Sequence, residues 1–220
     1  MKDYLLFIDT ETSGLPKKWD KPYQDTDNWP TCIQLAWIIY HKSGEEVKRE
    51  NFYIKLQDLK IEDSAYKIHG ITPTFLEENG VKRKQVLQKF AYDVKKYNPL
   101  LIAHFMELDF HIVGVDAYRA KLKNPIENSP LFCTMLASAK YVHNPTVNFL
   151  RLGELYHFLL DEKMEQQHHA LKDAEATAAC FFEMLKRGDI TAEQMETQQF
   201  NFKMKQTKAK PKSIWPFSLF

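Results

Sequence analysis

The sequence predicts an α/β domain, a mixed sheet covered by helices, on three observations. Strand-like apolar runs crowd the first 56 residues, helical periodicity takes over from residue 81, and two short apolar runs, Leu100–Ala103 and Leu131–Cys133, lie between the later helices. Tyr4–Asp9 reads as a buried strand. Thr31–His41 and Val47–Leu56 are two longer strands joined through Lys42-Ser43-Gly44-Glu45, a hairpin turn with glycine where positive φ is easiest. Leu87, Phe90, Ala91 and Val94 at helical spacing place a helix over 81–97, and Asn98-Pro99 stops it before the strand Leu100–Ala103. Residues 105–122 are again helical, Leu131–Cys133 is a strand, and helices follow at about 134–142 and 151–160. The plainest helix is 170–187, where Leu171, Ala174, Ala178, Phe181 and Leu185 keep a 3-4 step and Gly188 closes the end. A last helix is expected at about 191–200.

Composition narrows the class. Of 220 residues 44% are hydrophobic and 13% aromatic, which excludes a disordered or fibrous chain. The longest apolar runs, Leu5-Leu6-Phe7-Ile8 and Leu35–Tyr40, fall far short of the ~20 residues of a membrane span, so no membrane partner is expected. The start of the chain, Met1-Lys2-Asp3-Tyr4, runs into the first strand without a cleavable small-residue site. Cys32, Cys133 and Cys180 are too few and too scattered for a disulfide framework. Both features point to the cytoplasm. Seven glycines form neither GxGxxG nor GxxxxGK, which excludes a dinucleotide or P-loop enzyme at sequence level. The net charge of +1 hides an asymmetry: Lys203, Lys205, Lys208, Lys210 and Lys212 fall in 201–220 with no acid, leaving residues 1–200 at −4. A domain over 1–200 is therefore followed by a basic tail over 201–220 with an apolar tip. A mildly acidic body argues against simple electrostatic binding of a duplex, but suits an enzyme that engages a few phosphates through metal ions.

Three acidic segments carry the chemistry. Asp9 and Glu11, two residues apart at the end of the first strand, can put both carboxylates on one face of an extended chain. An isolated pair of this kind reads as an Asx turn. Asp109 stands in an otherwise apolar helical turn, and Asp173 lies beside the core-facing Ala174 and Ala178 of a helix that opens with His168-His169. Charged residues rarely point inward without a partner. Four carboxylates and an imidazole form the oxygen-rich set that Mg²⁺ or Mn²⁺ prefers, with histidine free for proton transfer.

These segments resemble, in order, the three motifs of the DEDDh 3′→5′ exonucleases, in particular the group containing the proofreading epsilon subunit of bacterial replicative polymerase. Asp9-Thr10-Glu11-Thr12-Ser13-Gly14-Leu15 is similar to the first motif and Asp109 in its helix to the second. His168 followed five residues later by Asp173, then Ala174 and Ala176-Thr177, is similar to the third. Ile68-His69-Gly70-Ile71-Thr72 resembles a further segment of the group, and the resemblance runs from about residue 3 to 187. Two departures stand out: Phe105 occupies the place of the usual asparagine after His104, and Leu108 rather than an aromatic precedes Asp109.

The resemblance implies a ribonuclease H-like five-stranded mixed sheet in a single domain. It implies that Asp9, Glu11, Asp109 and Asp173 hold two divalent ions, Mg²⁺ or Mn²⁺, with His168 as general base. The activity implied is release of nucleoside 5′-monophosphates from single-stranded or frayed DNA 3′ ends, in proofreading or repair. Thr12 and the backbone around Thr10 would contact the terminal sugar, and Leu15 would wedge against the terminal bases. An RNA 3′-trimming exonuclease of the same superfamily and a catalytically idle nuclease-fold interaction module are the alternatives.

The remaining candidates read as structural. His169 is expected on the surface of the first helical turn, His104 as a strand-end hydrogen-bonding residue and His69 as a turn residue. The three cysteines and Phe181-Phe182 read as core. The segment Pro16–Pro30 interleaves Trp19, Tyr23 and Trp29 with Lys17, Lys18 and Lys21. Its aromatics are expected to anchor a long loop to the sheet, with contact to unstacked bases as the second reading. At the chain end, Phe217-Ser218-Leu219-Phe220 resembles the short peptides that bind the sliding clamp, with Pro216 in place of the usual glutamine. Docking to a clamp or polymerase subunit and packing back on the domain are the leading expectations for it, with a disordered tip as the third.

Overall fold

Strand β1 (Tyr4–Thr12) is the axis on which the rest of the chain is hung. β2 (Cys32–His41) runs antiparallel beside it and β3 (Glu46–Tyr53) antiparallel beside β2, while β4 (Leu100–Ala103) and β5 (Leu131–Cys133) add in parallel on the other side. The resulting order is β3-β2-β1-β4-β5. This is the mixed five-stranded sheet expected from the sequence, seen in a computed structural model that describes residues 2–56 and 60–198.

Alternation along β1 sorts its side chains between two cores. Leu6 and Ile8 join Trp37, Phe90, Met106 and Ile112 under α3 (Arg83–Tyr97) and α4 (Met106–Arg119). Leu5 and Phe7 join Ile102, Leu155, Ala174 and Phe181 under α6 (Leu152–Leu160) and α7 (Ala170–Lys186). The sheet is thus covered by helices on both faces, and every odd-numbered side chain of β1 points to the α7 side. Because β4 pairs with β1 only from Leu5 to Phe7, the end of β1 projects beyond its parallel neighbour. Asp9 to Thr12 lie on that projection, outside the carboxyl ends of the parallel strands.

Two short helices were not legible in the sequence, α1 (Asp63–His69) and α2 (Pro73–Asn79). α1 buries no side chain, so it leaves no amphipathic pattern to read. The helix expected over 134–142 is a single turn, α5 (Thr134–Ala137), continued by a 3₁₀ turn over Ser138–Tyr141. Residues 192–198 are helical, as expected. The basic tail over 201–220 and the docking expected of Phe217–Phe220 lie outside the described residues. Among the described residues no helix is long and apolar enough to cross a membrane.

Candidate active site

The site forms where β1 outruns β4. Asp9 and Glu11 share the face of β1 that α7 covers, and Asp173 enters from the first turn of α7, where the helix dipole favours a carboxylate. Oxygens of these three side chains all lie within 4.8 Å of one another. The fourth expected ligand, Asp109, comes from α4 on the opposite face and lies outside that set. It is 3% exposed and is held by Thr10, whose hydroxyl donates to Asp109 Oδ1 at 2.8 Å.

The electrostatics are those of acids short of cations. Burial first, and then the charges of Asp109, Asp173 and Glu11, push Asp9 well above the usual carboxylate range. Glu11 rises to about 7 through burial and through Asp173 and Asp109. Asp109 also rises to about 7 by burial, against the opposing Thr10 hydrogen bonds, and Asp173 to about 6 by burial, against the His168 backbone N–H. No lysine or arginine among the described residues relieves any of the four. Asp173 Oδ2 accepts the His168 backbone N–H at 3.3 Å, but Oδ1 is buried with no hydrogen-bond partner. An orphaned carboxylate oxygen converging with two other uncompensated acids is the donor set of a hard divalent cation. The residues therefore fit a divalent cation.

The other expected site residues divide. His168 is exposed at the mouth of the site in a left-handed conformation, φ 66°, uncommon for a non-glycine residue. The side chain of Thr10 is committed to Asp109, and the Thr12 hydroxyl donates to the Gly14 carbonyl at 2.6 Å. Leu15 stands free, 62% exposed, on the loop that leaves β1. Its base is braced from both sides: the Ser13 N–H bonds to the Thr31 carbonyl and the Ser13 carbonyl accepts from Glu62.

His169 corrects an expectation, since it is half-buried rather than free on the surface. It caps α7, its Nδ1 is buried, and its Nε2 lies 3.3 Å from the Tyr53 hydroxyl and 3.4 Å from Gln34 Nε2. The reason is tertiary: β2 and β3 reach under the start of α7, which local spacing cannot show. Gln34 is the residue the sequence reading missed. Fully buried opposite Glu11, it faces the first N–H of α7 with its carbonyl oxygen and donates to Asn51, so it sets where Asp173 begins its helix. The available signal was a lone amide inside the apolar run Cys32-Ile33-Gln34-Leu35.

His104 behaves as expected, whereas His69, expected in a turn, is the last residue of α1. His104 joins Thr134 and the Leu150 carbonyl, and burial holds it down to about 4. His69 Nδ1 accepts the Ile71 N–H just past the end of that helix. The three cysteines are free and buried.

Comparison with solved structures places this arrangement in a known fold. The zinc-bound form of Escherichia coli exonuclease I in complex with single-stranded DNA matches with a TM-score of 0.70 at 16% identity, over 94% of this chain and 45% of that one. The nuclease domain of 3′hExo, described as a DEDDh family member bound to rAMP, matches with a TM-score of 0.66 at 17% identity, over 85% of this chain and 94% of that one. Exonuclease I from Methylocaldum szegediense, moderately thermophilic, gives 0.67 at 18% identity, over 90% of this chain and 42% of that one. At these identities the likeness is one of fold, and this chain spans less than half the length of the exonuclease I chains. No curated protein matches the sequence. The profile of the exonuclease family RNase_T matches residues 6–181, from the first core strand to the middle of α7. That span contains Asp9, Glu11, Asp109, His168 and Asp173, and the protein belongs to this exonuclease family.

Proposed function

We propose that the protein is a divalent-metal-dependent 3′→5′ exonuclease that removes nucleoside 5′-monophosphates from single-stranded or frayed DNA ends. The observation that carries this reading is the convergence of Asp9, Glu11 and Asp173 within 4.8 Å, with no lysine or arginine pairing with them among the described residues and one Asp173 oxygen orphaned. Those three carboxylates, with Asp109 behind Thr10, would hold the metal. Bound divalent ions supply charge neutralisation at the phosphate and lower the pKa of water toward neutrality. The protein's own groups do the rest. His168, exposed at the mouth, takes the proton of the attacking water at a ring nitrogen as the terminal P–O3′ bond breaks. Thr10 keeps Asp109 in place, and Gln34 and His169 fix the start of α7 so that Asp173 faces β1. Leu15 meets the terminal base, and Thr12 with the backbone at Thr10 meets the sugar.

A digestion series tests this. Labelled single-stranded DNA, mismatched primer–template and RNA are each incubated with Mg²⁺, Mn²⁺ or EDTA. The expected result is stepwise shortening from the 3′ end with release of 5′-monophosphates, faster on single-stranded and mismatched DNA than on RNA, and none in EDTA. Preferential RNA shortening would move the protein to the RNA-trimming reading. No metal-dependent shortening of any strand would overturn the proposal.

A further inference from the structure

The segment between β1 and β2 fastens itself with two of its three aromatic side chains and leaves the third showing. Trp29 is 2% exposed, stacked on His111 at 5.1 Å between ring centroids. The Tyr23 hydroxyl lies 3.0 Å from His111 Nδ1, and its ring covers Gly114 so closely that a Cβ there would come within 2.7 Å. From below, Arg119 donates to the carbonyls of Thr26, Trp29 and Pro30 at 3.2, 2.6 and 2.7 Å. The loop is therefore anchored to α4 at several points, and Trp19 joins that anchor at a tilt, 6.0 Å from His111 between ring centroids, while keeping part of its indole open.

Trp19 remains 39% exposed. Its ring stands 5.7 Å from Phe105 and edge-on to Trp29 at 6.5 Å. Phe105 caps α4 four residues before Asp109, and Trp19 follows the strand end that carries Asp9 and Glu11. The aromatic pair thus sits at the start of α4, the helix that carries Asp109. Beside it the Asn28 side chain exchanges hydrogen bonds with the backbone of Lys18 at 2.9 and 2.8 Å, and the Lys17 N–H donates to the Asn28 carbonyl. This fixes the Lys17-Lys18 backbone with exposed side chains that form no ion pair among the described residues. An acid-rich site repels an approaching phosphate chain, and cations at its rim offset that. A fixed, half-exposed indole next to cations is the surface that unstacked bases use.

We propose that the exposed face of Trp19, backed by Phe105, stacks a base of the single strand being shortened, while Lys17 and Lys18 take its flanking phosphates. This rests on the exonuclease reading and adds a subsite to it. It also gives Phe105 a role: the ring that replaces the expected asparagine supports the indole.

The test is anisotropy of a labelled oligo-dT whose 3′ linkages are phosphorothioates, in Mg²⁺. Trp19→Ala is expected to weaken binding about 10-fold, within the range for loss of one base–aromatic stack. Trp19→Phe should keep most of the affinity, and Tyr92→Ala, an exposed aromatic on α3, should match the wild type. Single abasic residues are then walked along the strand. At one position the wild type should lose affinity and Trp19→Ala should lose nothing more, the non-additivity of two groups in contact. Trp19→Ala binding within twofold of wild type, or the same Trp19→Ala loss for every abasic strand, overturns the subsite. A wild type that binds the blocked strand yet releases nothing from an open 3′ end overturns the exonuclease reading instead.

Discussion

Two sets of buried and half-buried acids in this chain meet opposite fates. Asp116 and Asp93 are sealed in the fold with cations: Asp116 pairs with Arg83 at 3.2 Å and Arg119 at 3.1 Å, and Asp93 pairs with Lys48 at 2.7 Å and accepts the Trp37 indole N–H. Asp9, Glu11, Asp109 and Asp173 meet chiefly one another. Burial alone therefore does not mark a functional acid here. What distinguishes the second set is the lack of a compensating cation among the described residues, which the proposed function would supply from solution. The paired acids hold the scaffold, and under the proposed function the uncompensated acids would hold the metal.

Breaking each set should give opposite results. The largest effect belongs to Asp173→Asn or Asp9→Asn, which should cut metal-dependent nucleotide release to below about a few per cent of wild type. The metal-free protein should melt no lower than wild type, because a repelling charge has gone. Nuclease assays with thermal melts in EDTA check both halves. Next comes His168→Ala, expected to lower kcat by ~10²–10⁴ with melting unchanged, the usual range for a lost general base. His169→Ala should lose far less activity and more stability, since it removes contacts with Tyr53 and Gln34. Asp116→Ala should do the reverse of Asp173→Asn. Stranding Arg83 and Arg119 costs about 3–5 kcal/mol of stability, while activity per folded molecule at low temperature stays within a few-fold of wild type.

The smallest effect is a pH dependence that separates the two sets. Glu11, Asp109 and Asp173 have folded-state values raised to about 7, 7 and 6, above those of ordinary carboxylates. A raised group contributes stability that is present below its unfolded value and is lost as pH rises through its folded value. In EDTA these acids therefore erode stability from about pH 4 to about 7, whereas a bound divalent cation removes the loss. His104, held down to about 4, works in the opposite direction over the same window but equally with or without metal. The gap in melting temperature between Mg²⁺ and EDTA should accordingly widen as pH rises from about 4 to about 7, as differential scanning fluorimetry can follow.

How much of this was legible in the sequence differs between local and tertiary features. The two-residue step of Asp9 and Glu11 on a strand and the five-residue step from His168 to Asp173 survive as one face and one helix start, because strand and helix periods act over a few residues. Asp109 was legible as a charge in an apolar turn, but its hydrogen bond from Thr10 across the sheet was not. The same limit hid His169 and Gln34, whose roles depend on β2 and β3 passing under α7. It also hid the division of labour among Trp19, Tyr23 and Trp29, which is decided by His111 and Gly114 on α4, some 90 residues away. α1 was invisible for a different reason: a helix that buries nothing leaves no pattern.

The central claim, that the uncompensated acids are a divalent-cation site, is tested most directly by titrating Mn²⁺ into the protein without nucleic acid. Calorimetry should show saturable binding by the wild type and by Asp116→Ala at a temperature where it is folded, and strongly weakened binding by Asp9→Asn and Asp173→Asn. Equal Mn²⁺ binding by wild type and both site variants, or none by any of them, would contradict the account.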